Sequence, residues 1–179
     1  MKNIVLLLAL VATATVSAQK INWMSMEDAL AAQANAPKKI IVDVYTTWCG
    51  PCKLLDRNTF SNKDVINFIN ENYYAVKFNG EGNEEVTYND FTYTNPTFKA
   101  NISRGRNGTH LFTEALKIRG YPSLVFFEDD GSLIQAVAGY KTPQQLEIYL
   151  KMIANGDYKK LTTAQSWQEY QDNFVSTFK

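Results

Sequence analysis

The stretch KIIVDVY at residues 39–45 is almost wholly apolar and rich in β-branched residues, and it leads directly to the only two cysteines of the chain, Cys49 and Cys52. Such a run is typical of a strand that is covered on both faces, because neither face presents polar side chains to water. The residues from Gly50 to about Asn58 favour a helix. This passage therefore predicts a buried strand, followed at once by a helix that begins at the cysteine pair.

Predicted helices and strands alternate through the rest of the chain. Caps and apolar periodicity predict helices after Ser25 and after Ser61, near 110–118 and over 143–154, and strands over 73–79, 123–128 and 133–139. Aromatic residues at helical spacing predict one more helix at about 162–178: Trp167, Tyr170, Phe174 and Phe178. We expect this stripe to pack on the core, with a partner-binding face as the alternative. The alternation predicts a layered α/β domain.

Length and charge exclude some functions. The chain has 179 residues, of which 45% are hydrophobic, and this is enough for one domain with a sizeable core. Its 18 Lys and Arg residues balance its 18 Asp and Glu residues. A chain without net charge has no overall field that attracts nucleic acid or an anionic membrane surface. We therefore expect no nucleic-acid partner.

The first 18 residues have the pattern of an export signal. Lys2 supplies a positive start, residues 4–16 an apolar run, and the small residues at 16–18 a cleavage site before Gln19. The run is shorter than the roughly 20 apolar residues that a membrane span needs. We therefore predict a signal peptide over 1–18 and a mature domain over 19–179 that is periplasmic or secreted and not inserted in the membrane, where disulfides persist.

Three roles are open to the cysteine pair. As a staple it closes only a small ring, which stabilises a fold by roughly 2 kcal/mol in the loop-entropy formula. A zinc site normally uses four protein ligands, and the chain has one histidine, His110, which we expect at the surface where a helix begins. A redox pair explains more, because the free N–H groups at a helix start stabilise a thiolate at Cys49. Cys52, one turn into the helix, is expected to be shielded.

The motif WCGPCK at 48–53 resembles the active site of thioredoxin. Other segments are similar to the family in the same order: IRGYPSLVFF at 118–127 resembles its proline segment, and AGYKTPQQLEIYL at 138–150 its final strand and helix. The resemblance covers about residues 38–79 and 110–153. It implies a thioredoxin-like fold, in which helices flank a central mixed β-sheet, with an insertion before the cis-proline segment and an extra C-terminal helix.

The resemblance also implies roles at the cysteine motif. Cys49 corresponds to the attacking thiol, and Cys52 to the resolving thiol that breaks the mixed disulfide with a client. Trp48 corresponds to the indole that flanks the site. Gly50 and Pro51 correspond to the pair that accompanies a strongly reducing potential in thioredoxins.

Four further residues take their expected roles from the same comparison. Tyr121 and Pro122 correspond to the cis-proline segment whose backbone receives a substrate strand, although the sequence alone favours an ordinary proline at the start of a strand. Asp43 corresponds to a buried carboxyl with a raised pKa that takes the proton from the resolving thiol, and Lys77 to its partner. The alternative for Asp43 is a strand aspartate that faces water.

Residues 80–108, called the insert below, depart from the family pattern because they are far longer than the family's connection. Unstructured loops of more than about 12 to 15 residues are uncommon in compact domains. The aromatic content of the insert argues against simple disorder. It either reaches the rim of the active site and restricts substrates or packs on its own domain as an elaboration. Its SRGRNG segment at 103–108 is predicted to be a solvated turn.

The function that the resemblance implies is that of an exported thiol-disulfide oxidoreductase, which reduces disulfides in client proteins through the CGPC pair. No bound cofactor or metal is implied. The electrons would come from an upstream donor, which in bacteria is usually a membrane electron transporter. Two alternatives stay open: an oxidase or isomerase in the folding of exported proteins, and a non-enzymatic binding module.

Overall fold

The computed structural model describes residues 19–102 and 105–179, so the predicted signal peptide at 1–18 lies outside the described residues. Strands occur in the following order: β1 (Trp23–Met24), β2 (Lys39–Tyr45), β3 (Tyr73–Asn79), β4 (Val86–Tyr88), β5 (Phe91–Tyr93), β6 (Ser123–Phe127) and β7 (Leu133–Ala138). Five of them form one sheet in the order β1-β3-β2-β6-β7. Because β1, β3 and β2 run parallel while β6 and β7 are antiparallel, the sheet is mixed, as predicted.

The helices are α1 (Met26–Asn35), α2 (Gly50–Asn58), α3 (Lys63–Asn72), α4 (Leu111–Ala115), α5 (Pro143–Ala154) and α6 (Ala164–Asn173). No helix in the described part of the chain is long and apolar enough to cross a membrane. One predicted cap was wrong, because α3 begins after Asn62 and not after Ser61. The Asn62 side chain accepts the N–H groups of Asp64 and Val65 at 3.0 and 3.2 Å. Ser61 instead donates its hydroxyl to a backbone carbonyl of the preceding helix.

The sheet is covered on both faces, which explains why β2 is so apolar. On one face Ile41 packs with residues of α2, α3 and α5, such as Leu55 and Leu150. On the other face Val42 packs with residues of α1 and α4, such as Phe112. Each fully buried side chain of this kind contributes about 1.5 to 3 kcal/mol through the hydrophobic effect. Alternation along β2 places Asp43 on the same face as Ile41, beneath α2.

The C-terminal helix is shorter than predicted. It ends at Asn173, and the following residues are not helical, because the buried carboxylate of Glu147 on α5 accepts the backbone N–H groups of Thr177 and Phe178 at 2.9 and 3.0 Å. Residues of the predicted aromatic stripe, among them Trp167 and Phe178, pack against the face of the core that α5 covers.

Part of the insert is an ordered hairpin that the sequence did not predict. Strands β4 and β5 pair across Asn89 and Asp90, which both adopt positive φ, as a tight type I′ turn requires. The Tyr88 ring packs edge-on against Phe112 and Phe127, with centroids 5.8 and 5.5 Å apart. This half of the insert is therefore an elaboration on the sheet face opposite α2.

The prediction that His110 lies at the surface was wrong. Its side chain is fully buried and caps α4, with Nδ1 accepting the backbone N–H of Phe112 at 3.0 Å. Nε2 therefore carries the proton and donates to the carbonyl of Glu84, 2.7 Å away. Burial lowers the pKa of His110, so the neutral ring joins the insert to α4.

Candidate active site

The two cysteines lie at the start of α2 and form a disulfide, with their Cα atoms 5.3 Å apart. Cys49 is the N-cap residue, and its Sγ accepts the backbone N–H of Cys52 at 3.1 Å. Pro51 occupies the first turn, where its missing N–H costs the helix nothing. The sulfur of Cys49 thus lies against the free N–H groups of the helix, a position that stabilises a thiolate once the disulfide is reduced.

Both cysteines are buried in this disulfide form. Cys49 is 1% exposed and Cys52 is 3% exposed, whereas Gly50 and Pro51 between them are exposed. Burial therefore does not distinguish the two sulfurs here. That Cys49 is the accessible thiol and Cys52 the shielded one after reduction stays a prediction.

Trp48 and the proline segment form the rim of the site. The peptide bond between Tyr121 and Pro122 is cis, as the resemblance predicted. The Tyr121 ring meets the Trp48 ring edge-on, with centroids 6.1 Å apart. The Pro122 carbonyl accepts the backbone N–H of Gly139 at 2.8 Å, which joins this segment to the end of β7. The structure thus brings Trp48, Tyr121 and the cysteine loop together.

The two ends of the insert reach this rim. Glu81 is 8% exposed, and its Oε2 accepts the indole N–H of Trp48 at 2.8 Å and the backbone N–H of Asn107 at 2.7 Å. The guanidinium of Arg106 lies 4.9 Å from the centroid of the Trp48 ring. The predicted solvated turn was wrong for Asn107, which is partly buried against Glu81, whereas Arg106 is exposed to solvent although it contacts the Trp48 ring. Residues 103 and 104 of that segment lie outside the described residues.

A side chain of the insert joins its two ends. The side-chain amide of Asn95 donates to the carbonyls of Gly82 and Gly108, at 2.8 and 2.6 Å, and so closes the two ends of the insert on each other. A Cβ at Gly108 would lie 2.0 Å from the hydroxyl of Thr97, so this close approach requires glycine. A small cleft of about 140 Å³ remains between the insert and Thr47, the residue before Trp48.

Asp43 is buried, with 1% of its surface exposed, so the alternative in which it faces water was wrong. It lies opposite Lys77 in the register of β2 and β3, and Lys77 Nζ donates to Asp43 Oδ2 at 2.6 Å. Burial raises the pKa of Asp43 to about 6, although the charge of Lys77 opposes the rise. Burial alone would lower the pKa of Lys77, but the carboxylates beside it raise the pKa above its ordinary value.

Lys77 also connects this pair to the helix that carries the cysteines. Its ammonium forms a second ion pair with Asp56, which lies on α2 one turn after Cys52. Sequence reasoning placed Asp43 and Lys77 together but missed Asp56, as it missed Glu81 and the rest of the Trp48 contacts. Across residues 19–102 and 105–179, no group of three or more His, Cys, Asp or Glu side chains is arranged to hold a metal ion.

A family model described as a thioredoxin-like domain matches residues 26–154, which include the cysteine pair, Asp43 and Pro122. The chain belongs to the thioredoxin-like family. The match begins at α1 and ends with α5, so β1 and α6 of this thioredoxin-like protein lie outside it. The part of the chain that holds the site is thus the part that defines the family.

Curated relatives share a part of their length with this thioredoxin-like protein. It is 23% identical over 129 residues to the thiol:disulfide interchange protein DsbD of Pectobacterium atrosepticum, an alignment that covers 71% of this chain and 18% of the relative. It is 25% identical over 134 residues to DsbD of Pseudoalteromonas atlantica, and this alignment covers 74% of this chain and 19% of the relative. The chain therefore spans less than a fifth of the length of these relatives.

Solved structures show the same fold. A thioredoxin-fold protein from Helicobacter pylori superimposes with a TM-score of 0.57 at 14% identity, covering 76% of this chain and 81% of that one. A putative disulphide-isomerase from Bacteroides thetaiotaomicron gives a TM-score of 0.51 at 22% identity, and the superposition covers 76% of this chain and 94% of that one. The disulfide at the start of α2, the family match and these relatives together make this a thioredoxin-like domain of the disulfide oxidoreductase type.

Proposed function

We propose that this protein is exported and reduces disulfides in client proteins by dithiol exchange through Cys49 and Cys52. The observation that supports this most is the Cys49–Cys52 disulfide at the start of α2, above a buried carboxyl at Asp43. The pair supplies two electrons, and the carboxyl supplies a place for one proton. Neither a bound cofactor nor a metal takes part.

The first step joins the protein to its client. In the reduced protein, the Cys49 thiolate attacks one sulfur of a client disulfide, so that a bond forms between Cys49 Sγ and that sulfur while the client disulfide breaks. The other client sulfur leaves with the electron pair as a thiolate. Free N–H groups at the start of α2 keep Cys49 ionised near neutral pH, because they face its sulfur.

The second step releases the client. Asp43 accepts the proton of the Cys52 thiol, the Cys52 thiolate attacks Cys49 Sγ, and the second client sulfur leaves with its electron pair. The product is the disulfide that the structure contains, and the client has gained two electrons. Asp43 suits this role because a carboxyl whose pKa is about 6 both accepts and releases protons near neutral pH.

The client is expected to bind at the rim of the site. Gly50 and Pro51 are exposed there. From the resemblance to thioredoxin, we expect the backbone at Tyr121, beside Pro122, to pair with an extended client segment. Trp48 flanks the same rim. The insert holds it through Arg106 and through Glu81, which also accepts the backbone N–H of Asn107. We infer that the insert restricts which clients reach the disulfide.

The direction of electron flow distinguishes this proposal from an oxidase or isomerase. Equilibration of the cysteine pair with glutathione buffers should give a reduction potential of about −270 mV, the value for thioredoxin. A reduction potential of about −120 mV, the value for DsbA, would favour the oxidase. We further propose that an upstream donor, such as a membrane electron transporter, supplies the electrons. Cell fractionation and N-terminal sequencing test export: the mature chain is expected outside the cytoplasm with Gln19 first.

Trapping tests the chemistry. A Cys52→Ser variant should accumulate mixed disulfides between Cys49 and client proteins, because the resolving thiol is missing. The matched control, Cys49→Ser, should accumulate few or none. If a variant that lacks both cysteines kept full biological activity, the protein would be a binding module and the reductase proposal would be wrong.

A further inference from the structure

The ammonium of Lys77 lies where two carboxylates and three aromatic rings meet. It donates to Asp43 Oδ2 at 2.6 Å and also to Asp56 Oδ1. Its Nζ lies 5.0 to 5.2 Å from the centroids of three rings: Trp23 on β1, Tyr45 on β2 and Phe60 after α2. Such a cage holds a cation through the negative faces of the rings. The position of the ammonium is therefore set from β1, β2, β3 and α2 together.

The two carboxylates around Lys77 differ in their access to water. The Asp43 side chain is 1% exposed, whereas that of Asp56 is 49% exposed and borders a cavity of about 520 Å³ that Trp23 and Lys77 also line. One ammonium cannot neutralise two carboxylates, so the cluster carries a net negative charge when all three groups are ionised. That charge disfavours ionisation of the buried member.

Asp43 is also incompletely hydrogen-bonded as an anion. Its Oδ2 receives the Lys77 ammonium, but its Oδ1 is buried and has no hydrogen-bond partner among the described residues. An unpaired buried carboxylate oxygen is costly, and protonation of the carboxyl removes most of that cost. The site thus leaves one oxygen free to carry a proton.

We propose that Asp56 is a positioning residue, which holds part of the Lys77 ammonium away from Asp43 and so keeps Asp43 able to carry a proton. This inference deepens the proposed function, on which it rests, because the proton in question is the one that Cys52 releases during resolution. Asp56 does not itself contact the client or the sulfurs in this scheme. Its effect reaches Cys52 through Lys77 and Asp43.

The charged and titratable groups around the cluster determine the sign of the effect. Asp56 faces it from α2, Lys77 from β3 and Tyr45 from β2, and Glu84 of the insert acts on Tyr45. Of these, Asp56 raises the pKa of Asp43 and Lys77 lowers it. Removal of the Asp56 charge therefore lowers the pKa of Asp43 in two ways: the repulsion disappears, and the whole ammonium becomes available to Asp43.

The experiment is an infrared titration of the Asp43 carboxyl in the oxidised protein, whose signal is identified by its loss in Asp43→Asn. In Asp56→Asn the midpoint should fall by about half a pH unit, a modest shift because Asp56 is half-exposed to solvent. Asp56→Glu should return the midpoint towards the wild-type value. Glu71→Gln removes the same charge from an exposed position on α3 and should leave the midpoint unchanged.

The outcomes separate this inference from the proposed function. An unchanged or higher midpoint in Asp56→Asn would overturn the positioning role, even if the wild-type protein reduced insulin disulfides. If the wild-type protein failed to reduce insulin while Asp56→Asn still lowered the midpoint, the proposed function would fail and the positioning role would stand. A lower midpoint together with a matching acid shift in the pH profile of client release would support both.

Discussion

Replacing Asp43 by Asn should make the protein more stable at neutral pH, although Asp43 forms an ion pair. Burial raises its pKa from 3.8 to about 6, so the folded protein binds the proton more tightly than the unfolded chain does. Between these two values the stability of the wild-type protein therefore falls as pH rises. Above about pH 6 the full cost applies: roughly two pKa units at 1.36 kcal/mol each, or about 3 kcal/mol.

Removal of one partner from a buried ion pair usually destabilises a protein, because the other charge is left unpaired. Here Lys77 keeps its ion pair with Asp56, so Asp43→Asn does not leave an isolated ammonium. The variant should exceed the wild type in free energy of unfolding by about 3 kcal/mol at pH 8. Below about pH 4 the two proteins should be nearly equal, because Asp43 is protonated in both the folded and the unfolded state.

Guanidinium unfolding of the oxidised proteins at several pH values between 4 and 8 measures this difference, with the disulfide intact so that the loop constraint is the same. Asp129→Asn is the matched control, because it makes the same change at an exposed position and should show no comparable pH-dependent gain. If Asp43→Asn were the less stable protein at pH 8, or if its advantage were the same at pH 4, the account of a costly buried carboxylate would be refuted.

Two further predictions concern the C-terminal tail and the insert. Glu147→Ala removes the acceptor that holds residues 176–178 and should cost about 2 kcal/mol of unfolding free energy, whereas Glu169→Ala on the exposed face of α6 should cost little. Burial would raise the pKa of Glu147, but hydrogen bonding lowers it to about 2. The contribution of Glu147 to stability is therefore present above about pH 4.5 and is lost as the pH falls towards 2. Thermal melts at several pH values check this. Arg106→Ala should raise the ratio of kcat/KM for a bulky protein disulfide to kcat/KM for a small disulfide by about two- to fivefold. The reason is that an exposed cation–π contact contributes about 0.5 to 1 kcal/mol to the position of Trp48. Arg106→Lys should stay closer to wild type, and equal ratios in all three proteins would contradict a restrictive insert.

Elements that depend on local chemistry were predicted well. The bounds of β2, β3, α2 and α5 agree with the structure, because an apolar β-branched run, a capping residue and a proline in the first turn all act within a few residues of one another. The cap of α3 shows the limit of such reasoning. Ser61 and Asn62 are both good capping residues, and only the path of the chain decides that Asn62 faces the free N–H groups.

The environment of single polar residues was harder to predict. Alternation along β2 allowed Asp43 to face either water or the core. His110 was predicted at the surface from its position at the start of a helix. Both are buried and contact residues distant in sequence: Lys77 donates to the carboxylate of Asp43, and the carbonyl of Glu84 accepts the His110 ring N–H. Likewise, no local pattern indicates that Glu81 and Arg106 meet at Trp48, since these contacts depend on how a long insert folds back.

The order of residues alone thus determined a cysteine pair at a helix start and most of the elements, because each depends on chemistry within one turn or one strand. The resemblance to the family came from motifs in matching order along the chain. Only the tertiary structure decided how the site is surrounded: the second carboxylate on Lys77, the insert against Trp48 and the buried state of both cysteines in the disulfide form. Burial and charge sharing arise between segments that the backbone brings together, and the strength of each depends on distances that spacing along the chain does not specify.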